Sequence, residues 1–173
     1  GTGYELGYLL QLFPNWSFTA TDLSATMLDK AKQYIQPLDA LHRVEFALAD
    51  VDQLKTEQTY DAALSILVTH FVPYAQKLNF FKAIDSRLKQ HGVFIGFDLT
   101  AMKTDQERGM LQHICEKNGL STAQSTAMLS RLADDFYPLS EQETFEQLSL
   151  AGFGSVQRFT QILSYQGFMA LKV

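Results

Sequence analysis

The sequence has little that would suit a disulfide-bonded or membrane-spanning protein. Its 173 residues include one cysteine, Cys115, so no internal disulfide can form. No stretch approaches the roughly 20 apolar residues that a membrane-spanning helix needs. The first ten residues, GTGYELGYLL, also lack the basic start and the cleavage site of a secretory signal. We therefore expect a cytoplasmic protein that has no membrane segment.

Basic charge is also scarce, which bears on the choice of partner. The chain has 14 Lys and Arg against 19 Asp and Glu, a net charge of −5, and no run of basic residues. A protein that reads a nucleic-acid backbone needs a cationic surface, so a small molecule is favoured as the partner over nucleic acid. The histidines His42, His91 and His113 are scattered among unrelated segments and predict no metal site.

Hydrophobic periodicity predicts alternating strands and helices over the first hundred residues. Buried strands are expected at 16–21, 44–49, 60–68 and 93–99, and amphipathic helices at 4–13, 24–35 and 75–89. Ser24 is placed to cap the second helix, and His91-Gly92 is placed to close the third. Such alternation favours right-handed crossovers and a parallel sheet.

The remainder of the chain departs from this alternation. Two helical stretches, 105–117 and 122–136, predict a helical cap inserted at 101–137. Ser140 and Glu143 form a capping box for a helix over 141–150, and strands at 153–163 and 165–173 predict an antiparallel hairpin. We predict one domain, 1–173, of the α/β class: a doubly wound, mostly parallel, Rossmann-like sheet with an antiparallel C-terminal hairpin.

The tripeptide Gly1-Thr2-Gly3 stands directly before the first helix. Glycines in that place let a backbone approach a ligand, and the free N–H groups of the helix can meet the polar end of that ligand. Asp22 lies nineteen positions after Gly3, at the end of the next strand. That offset is typical of a carboxylate that binds the two hydroxyls of a ribose.

These segments resemble the class I methyltransferases that use S-adenosylmethionine, and the resemblance extends over nearly the whole chain. The matching pieces are Gly1-Thr2-Gly3, Thr21-Asp22-Leu23-Ser24 with Met27-Leu28, Ala49-Asp50-Val51, Tyr60-Asp61 with the strand that ends at Ile66 and Leu67, Leu88 to Gly92, and Ala151-Gly152-Phe153. No single piece is specific, but six in this order and spacing are.

The resemblance implies a cofactor, a reaction and a set of binding residues. The cofactor is S-adenosyl-L-methionine, and its methyl group goes to a small-molecule acceptor held beneath the 101–137 insert. In the family's pattern Asp22 binds the ribose, Asp50 and the Val51 N–H meet the adenine, and the end of the fourth strand borders the methionine. The implied cofactor-binding residues are Gly1, Gly3, Asp22, Leu23, Met27, Asp50, Val51, Ile66 and Leu67.

One part of the family's pattern has no counterpart in this sequence. The family's first strand, with an acid at its tip and the first glycine of the motif, should precede Gly1. Without it, two neighbouring strands would carry unpaired backbone groups, at about 1–3 kcal/mol for each group. We therefore expect that the natural protein has residues upstream of Gly1.

Two side chains are candidates for a role in catalysis, although methyl transfer requires mainly alignment of the reactants. His70 follows the fourth strand and could act as a base, and Asp98 lies near the tip of the fifth; both positions are where α/β sheets bind ligands. The alternative for each is a buried, hydrogen-bonded structural residue.

Two other functions are compatible with the same residues. Gly1, Gly3 and Gly7 with Asp22 would also fit an NAD(P)-dependent oxidoreductase, although Asp50 then has no role. A catalytically inactive protein of the same fold that binds a cofactor or a partner is the second alternative.

Overall fold

Strands and helices alternate along the computed structural model, which describes residues 1–55 and 59–173. The chain divides into a first unit, Gly1–Lys55, and a second unit, Thr56–Val173. The architecture is α/β and Rossmann-like, as the sequence predicts.

The first unit pairs two parallel strands with two helices. Its elements are α1 (Tyr4–Leu12), β1 (Phe18–Asp22), α2 (Ala25–Ile35) and β2 (Val44–Leu48), with short 3-10 turns at Gln36–Leu38, Leu41–Arg43 and Val51–Gln53. Strands β1 and β2 run parallel, with Phe18 opposite Val44 and Asp22 opposite Leu48. Leu10, Ile35 and Ala40 form the buried core of this unit.

Strand β1 begins two residues later than the sequence predicts. Trp16 was expected in the strand, but its ring stacks on Phe13 with the ring centroids 4.0 Å apart and the planes at 9°. The Trp16 carbonyl accepts a hydrogen bond from Arg43 at 3.1 Å. These contacts hold Trp16 against the end of α1 and keep it out of the sheet.

The described part of the second unit, residues 59–173, is a four-stranded mixed sheet with four α-helices. Its elements are β3 (Tyr60–Ile66), α3 (Tyr74–Arg87), β4 (Leu88–Leu99), α4 (Asp105–Lys117), α5 (Thr122–Asp134), α6 (Glu141–Ala151), β5 (Phe153–Ile162) and β6 (Tyr165–Lys172). The strand order is β3-β4-β6-β5, with β3 parallel to β4 and the other two pairs antiparallel. The predicted antiparallel hairpin at the sheet edge is thereby confirmed.

The predicted end of α3 at His91-Gly92 is wrong. Helix α3 ends at Arg87, and β4 begins at Leu88, which pairs with Tyr60. The next paired residues are Ala62 and Val93, so β4 carries extra residues in a bulge where His91 has a φ of 63°. Pairing of Leu88 with the start of β3 thus ends the helix before the glycine is reached.

The two predicted helices of the insert are both present. Thr104 and Ser121 cap α4 and α5 through capping boxes. Leu111 and Leu129 are buried, whereas Met110 and Ile114 remain exposed. The insert is thus only partly core, and its function as a cap stays a prediction.

Strands β1 and β3 of the described chain each have a single paired neighbour. Within residues 1–55 and 59–173, β1 pairs only with β2, and β3 pairs only with β4. None of the described helices is long and apolar enough to cross a membrane. The described residues also contain no group of three or more His, Cys, Asp and Glu that could hold a metal ion.

Candidate functional site

Asp22 and Asp50, the two acids that the sequence singles out, lie at the same edge of the first unit. Asp22 is the last residue of β1 and is opposite Leu48, the last residue of β2. Asp50 follows β2 by two residues and precedes the turn Val51–Gln53. Because neighbouring parallel strands are about 4.8 Å apart and end at the same edge, both carboxylates belong to one surface.

The Asp22 carboxylate is held by main-chain groups and is partly open to solvent. Its Oδ1 accepts a hydrogen bond from the Ser24 N–H at 2.8 Å. Partial burial raises the pKa of Asp22, whereas backbone hydrogen bonds from Ser24 and Leu23 lower it. The group is therefore an ionised hydrogen-bond acceptor at neutral pH.

Asp50 begins the 3-10 turn that follows β2. Its Oδ1 accepts from the Val51 N–H at 2.6 Å, and the Asp50 N–H donates to Gln53 Oε1 at 2.9 Å. The two groups implied as adenine contacts therefore bond to each other here. The Asp50 side chain also accepts from the Gln53 N–H in a capping box, and because a carboxylate offers about four acceptor positions, Asp50 can still accept further bonds.

Gly3 is required for the close approach of α1 to α2. Its φ is +83°, and a Cβ added there would lie 2.9 Å from both Cα and Cβ of Ala31. Gly3 is the N-cap of α1 and provides no side-chain cap, so the first N–H groups of the helix have no side-chain acceptor there. Gly1 differs, since a Cβ on it would meet nothing within 4 Å.

Apolar side chains are exposed next to the two acids. Leu23 follows Asp22 and is 72% exposed, and Met27 in the first turn of α2 is 36% exposed. Exposure of a leucine at this level beside a carboxylate leaves an apolar surface against which a flat ring could pack.

The remaining two implied cofactor residues lie at the end of β3 in the second unit. Ile66 is the last residue of β3, and Leu67 follows it with a φ of 55°. The Leu67 N–H donates to the Phe97 carbonyl at 2.8 Å, which holds this backbone in place. Leu67 and Val68 are each 43% exposed. A leucine in the left-handed region is uncommon, and such residues concentrate at functional sites.

The structure brings together His70 and Asp98, the two catalytic candidates. His70 is 7% exposed, and its Nδ1 contacts Asp98 Oδ1. The Asp98 carboxylate also accepts from the N–H groups of His70 and Leu99, at 3.2 and 2.7 Å. Since an ionised carboxylate only accepts, the proton of this contact is on Nδ1, and in a neutral imidazole Nε2 is then the nitrogen with the lone pair.

Aromatic rings enclose the imidazole of His70. The ring centroids of Phe71 and Phe136 lie 4.2 and 4.8 Å from it. The His70 carbonyl accepts from the Tyr137 N–H at 2.7 Å. The ring is therefore held in position by the Asp98 carboxylate and by two aromatic rings.

Sequence reasoning missed Lys77, which is 1% exposed on α3. Its Nζ donates to the Thr69 carbonyl at 2.6 Å and lies 5.7 Å from the centroid of the Tyr74 ring. Burial lowers the pKa of Lys77 to about 8, although the charge of Asp98 opposes this decrease. Lysine is almost never fully buried, so the sequence gives no local signal for this position.

Sequence comparison identifies a protein family and several relatives of this chain. Residues 1–94 match the family model described as a methyltransferase domain. A carboxy-S-adenosyl-L-methionine synthase from Pseudomonas aeruginosa is 28% identical over 158 residues, which cover 87% of this chain and 64% of the relative. A malonyl-(acyl-carrier protein) O-methyltransferase from Priestia megaterium is 29% identical over 172 residues, which cover 92% of this chain and 60% of the relative.

The fold of this chain is also similar to that of a solved structure. PigF, solved with SAH, superimposes with a TM-score of 0.73 at 15% identity and covers 99% of this chain and 48% of its own. The chain thus spans less than two thirds of these relatives.

Proposed function

We propose that this chain, which belongs to the class I S-adenosylmethionine-dependent methyltransferases, transfers a methyl group to a small-molecule acceptor. The observation that carries the proposal is the placement of Asp22 and Asp50 at the ends of two paired parallel strands. The names of the relatives, a carboxy-S-adenosyl-L-methionine synthase and an O-methyltransferase, support a small molecule or a small carrier-bound acid as the acceptor class.

The first-unit residues fit the adenosine part of S-adenosylmethionine. Asp22 would accept hydrogen bonds from the two ribose hydroxyls, and Asp50 with the Val51 N–H would meet the purine edge. Leu23 and Met27, both exposed, would cover the apolar faces of the nucleoside. Gly3 leaves the first N–H groups of α1 without a side-chain cap, in keeping with the polar methionine end of the cofactor. Ile66 and Leu67 are proposed to border the methionine.

When bound, S-adenosylmethionine supplies an electrophilic methyl group on a sulfonium. The protein's own contribution to the step is alignment, and a base is needed only when the acceptor must lose a proton. His70 is the candidate base: Asp98 holds its proton on Nδ1, so Nε2 would take the acceptor's proton.

Isothermal titration with S-adenosylhomocysteine tests the binding residues. In the variant Asp22→Asn we expect affinity to fall about 10- to 100-fold, because charge-assisted hydrogen bonds to the ribose are lost. The matched control is Asp29→Asn, an acid of α2 whose side chain is 66% exposed; its affinity should equal that of the wild type. Equal affinity in Asp22→Asn and the wild type would contradict the assignment.

A labelled-methyl assay on a metabolite pool tests the reaction. For a hydroxyl acceptor, His70→Asn should lower kcat about 100-fold, because proton transfer by a positioned base typically contributes 10²–10⁴-fold. His91→Asn is the control, because His91 is exposed and has a φ of 63°, which asparagine accepts. Binding of S-adenosylhomocysteine without transfer to any acceptor would instead favour the inactive, cofactor-binding alternative.

A further inference from the structure

Among the described residues, one carboxylate, Asp98, and two bases, His70 and Lys77, line the same small cavity. Asp98 contacts the His70 ring directly, and Lys77 lines the same small cavity as His70 and Asp98. All three residues are buried, with 7, 7 and 1% exposure for His70, Asp98 and Lys77. A single carboxylate balances a single positive charge, so protonation of both bases would leave an excess charge in the interior.

The cavity between these side chains is too small to hold a substrate. Its volume is about 20 Å³, close to that needed by one water molecule. Thr69, Thr100 and Thr144 line it together with apolar side chains from the sheet and from α3 and α6. Lys77 therefore acts on groups inside the protein and does not bind a ligand there.

We infer that Lys77 is a positioning residue for His70: its ammonium balances the charge of Asp98 and so keeps the His70 ring neutral, with Nε2 free as a base. The catalytic consequence rests on the proposed role of His70 as a base. The charge balance itself involves only the three buried side chains. The hydrogen bond from Lys77 Nζ to the Thr69 carbonyl, at 2.6 Å, holds the ammonium next to the residue that precedes His70.

Two tyrosines adjoin the cluster: the Tyr74 ring lies near Lys77 Nζ, and the charge of Asp98 acts on Tyr165. Tyr74 on α3 donates its phenol proton to the Pro138 carbonyl at 3.2 Å, and burial and then the charge of Glu143 on α6 raise its pKa. Burial, followed by the charges of Cys115 on α4 and Asp98, raises the pKa of Tyr165 on β6. Both phenols are thus neutral in the physiological range. Among the described residues, Lys77 is thus a cation whose pKa is influenced by the charge of Asp98.

Titration of the unliganded chain by NMR tests the inference without any turnover. The ¹⁵N resonances of the His70 ring should show a neutral ring with the proton on Nδ1 in the wild type at pH 7. In Lys77→Met we expect the midpoint of His70 protonation to move to higher pH by about one pH unit, because the competing cation is removed. The control Lys82→Met, on the exposed face of α3, should leave the midpoint unchanged. A folded Lys77→Met variant with an unchanged midpoint overturns the inference.

The wild type gives a second measurement that does not depend on the variant's folding. Loss of the Lys77 proton near pH 8 should produce an additional inflection in the His70 Nδ1 shift, and a single-step titration overturns the inference. The acidic limb of the kcat profile should then move with the NMR midpoint in Lys77→Met. If Lys77→Met shows the NMR shift but no methyl-transfer activity can be detected for the wild type, the inference about Lys77 stands and the proposed role of His70 fails.

Discussion

At the scale of single residues, Gly3 combines a backbone conformation with a packing requirement. A Cβ there would need the left-handed region and would approach Ala31 to 2.9 Å. We expect Gly3→Ala to lower the free energy of unfolding by about 2–4 kcal/mol, the sum of the left-handed backbone strain and of overpacking. Urea denaturation measures this, and Gly1→Ala is the control, since its Cβ meets nothing within 4 Å. Equal stabilities of the two variants would show that Gly3 is not needed for packing.

Lys77 makes stability depend on pH in a defined direction. Its pKa is about 8 in the folded chain, against 10.5 for an ordinary lysine. Between these values the unfolded chain binds more protons, so the free energy of unfolding contributed by Lys77 rises as the pH rises from about 8 to 10.5. Urea denaturation at several pH values measures this effect. From about pH 8 to 10.5, the free energy of unfolding of the wild type should rise relative to that of Lys77→Met. A difference that is constant with pH contradicts the burial of a charged lysine.

The sequence could predict the site residues that stand at the ends of apolar strands. Asp22 and Asp50 each follow an apolar strand, so their place at one sheet edge follows from the strand pattern. For His70 and Asp98 the sequence is also compatible with a structural role, and their contact with each other follows only from the fold. Lys77 could not be predicted, because a lysine is almost never fully buried and nothing local marks the exception.

At the scale of elements, Arg43 joins the end of α1 to the turn before β2. Its guanidinium donates to the carbonyls of Leu10 at 2.8 Å and of Phe13 and Trp16, each at 3.1 Å. Lysine cannot reproduce this planar fork, so Arg43→Lys should lower the free energy of unfolding by about 2 kcal/mol. Urea denaturation provides the value, and the exposed Arg108→Lys should change it by less than about 0.5 kcal/mol. No loss in Arg43→Lys would mean that water satisfies these carbonyls equally well.

The starts of helices were predicted better than their ends. Ser24 and Ser140 cap α2 and α6 as expected, because their side chains bond to the following turn and need only local sequence. The end of α3 depends instead on the pairing of Leu88 with Tyr60, which are distant in sequence. Long-range pairing of this kind is invisible to a local glycine signal.

At the scale of the whole molecule, the family assignment predicts which nucleotide stabilises the chain. Binding at 100 times Kd adds about 2.7 kcal/mol to the free energy of unfolding. For a chain of this size, S-adenosylhomocysteine at that excess should raise Tm by about 5 °C or more. NADH at the same concentration should leave Tm unchanged. A shift with NADH and none with S-adenosylhomocysteine would restore the oxidoreductase alternative.

The order of the elements along the chain made the fold class predictable. Alternating strands and helices favour parallel pairing, as found for β1 with β2 and for β3 with β4.

The central claim, that Asp22 and Asp50 bind one adenosine, is tested most directly by a crystal structure with S-adenosylhomocysteine bound. We predict that the ribose hydroxyls donate to the Asp22 carboxylate and that the purine amine lies against Asp50. Density for the nucleoside at any other surface, with both carboxylates free of it, would contradict the account.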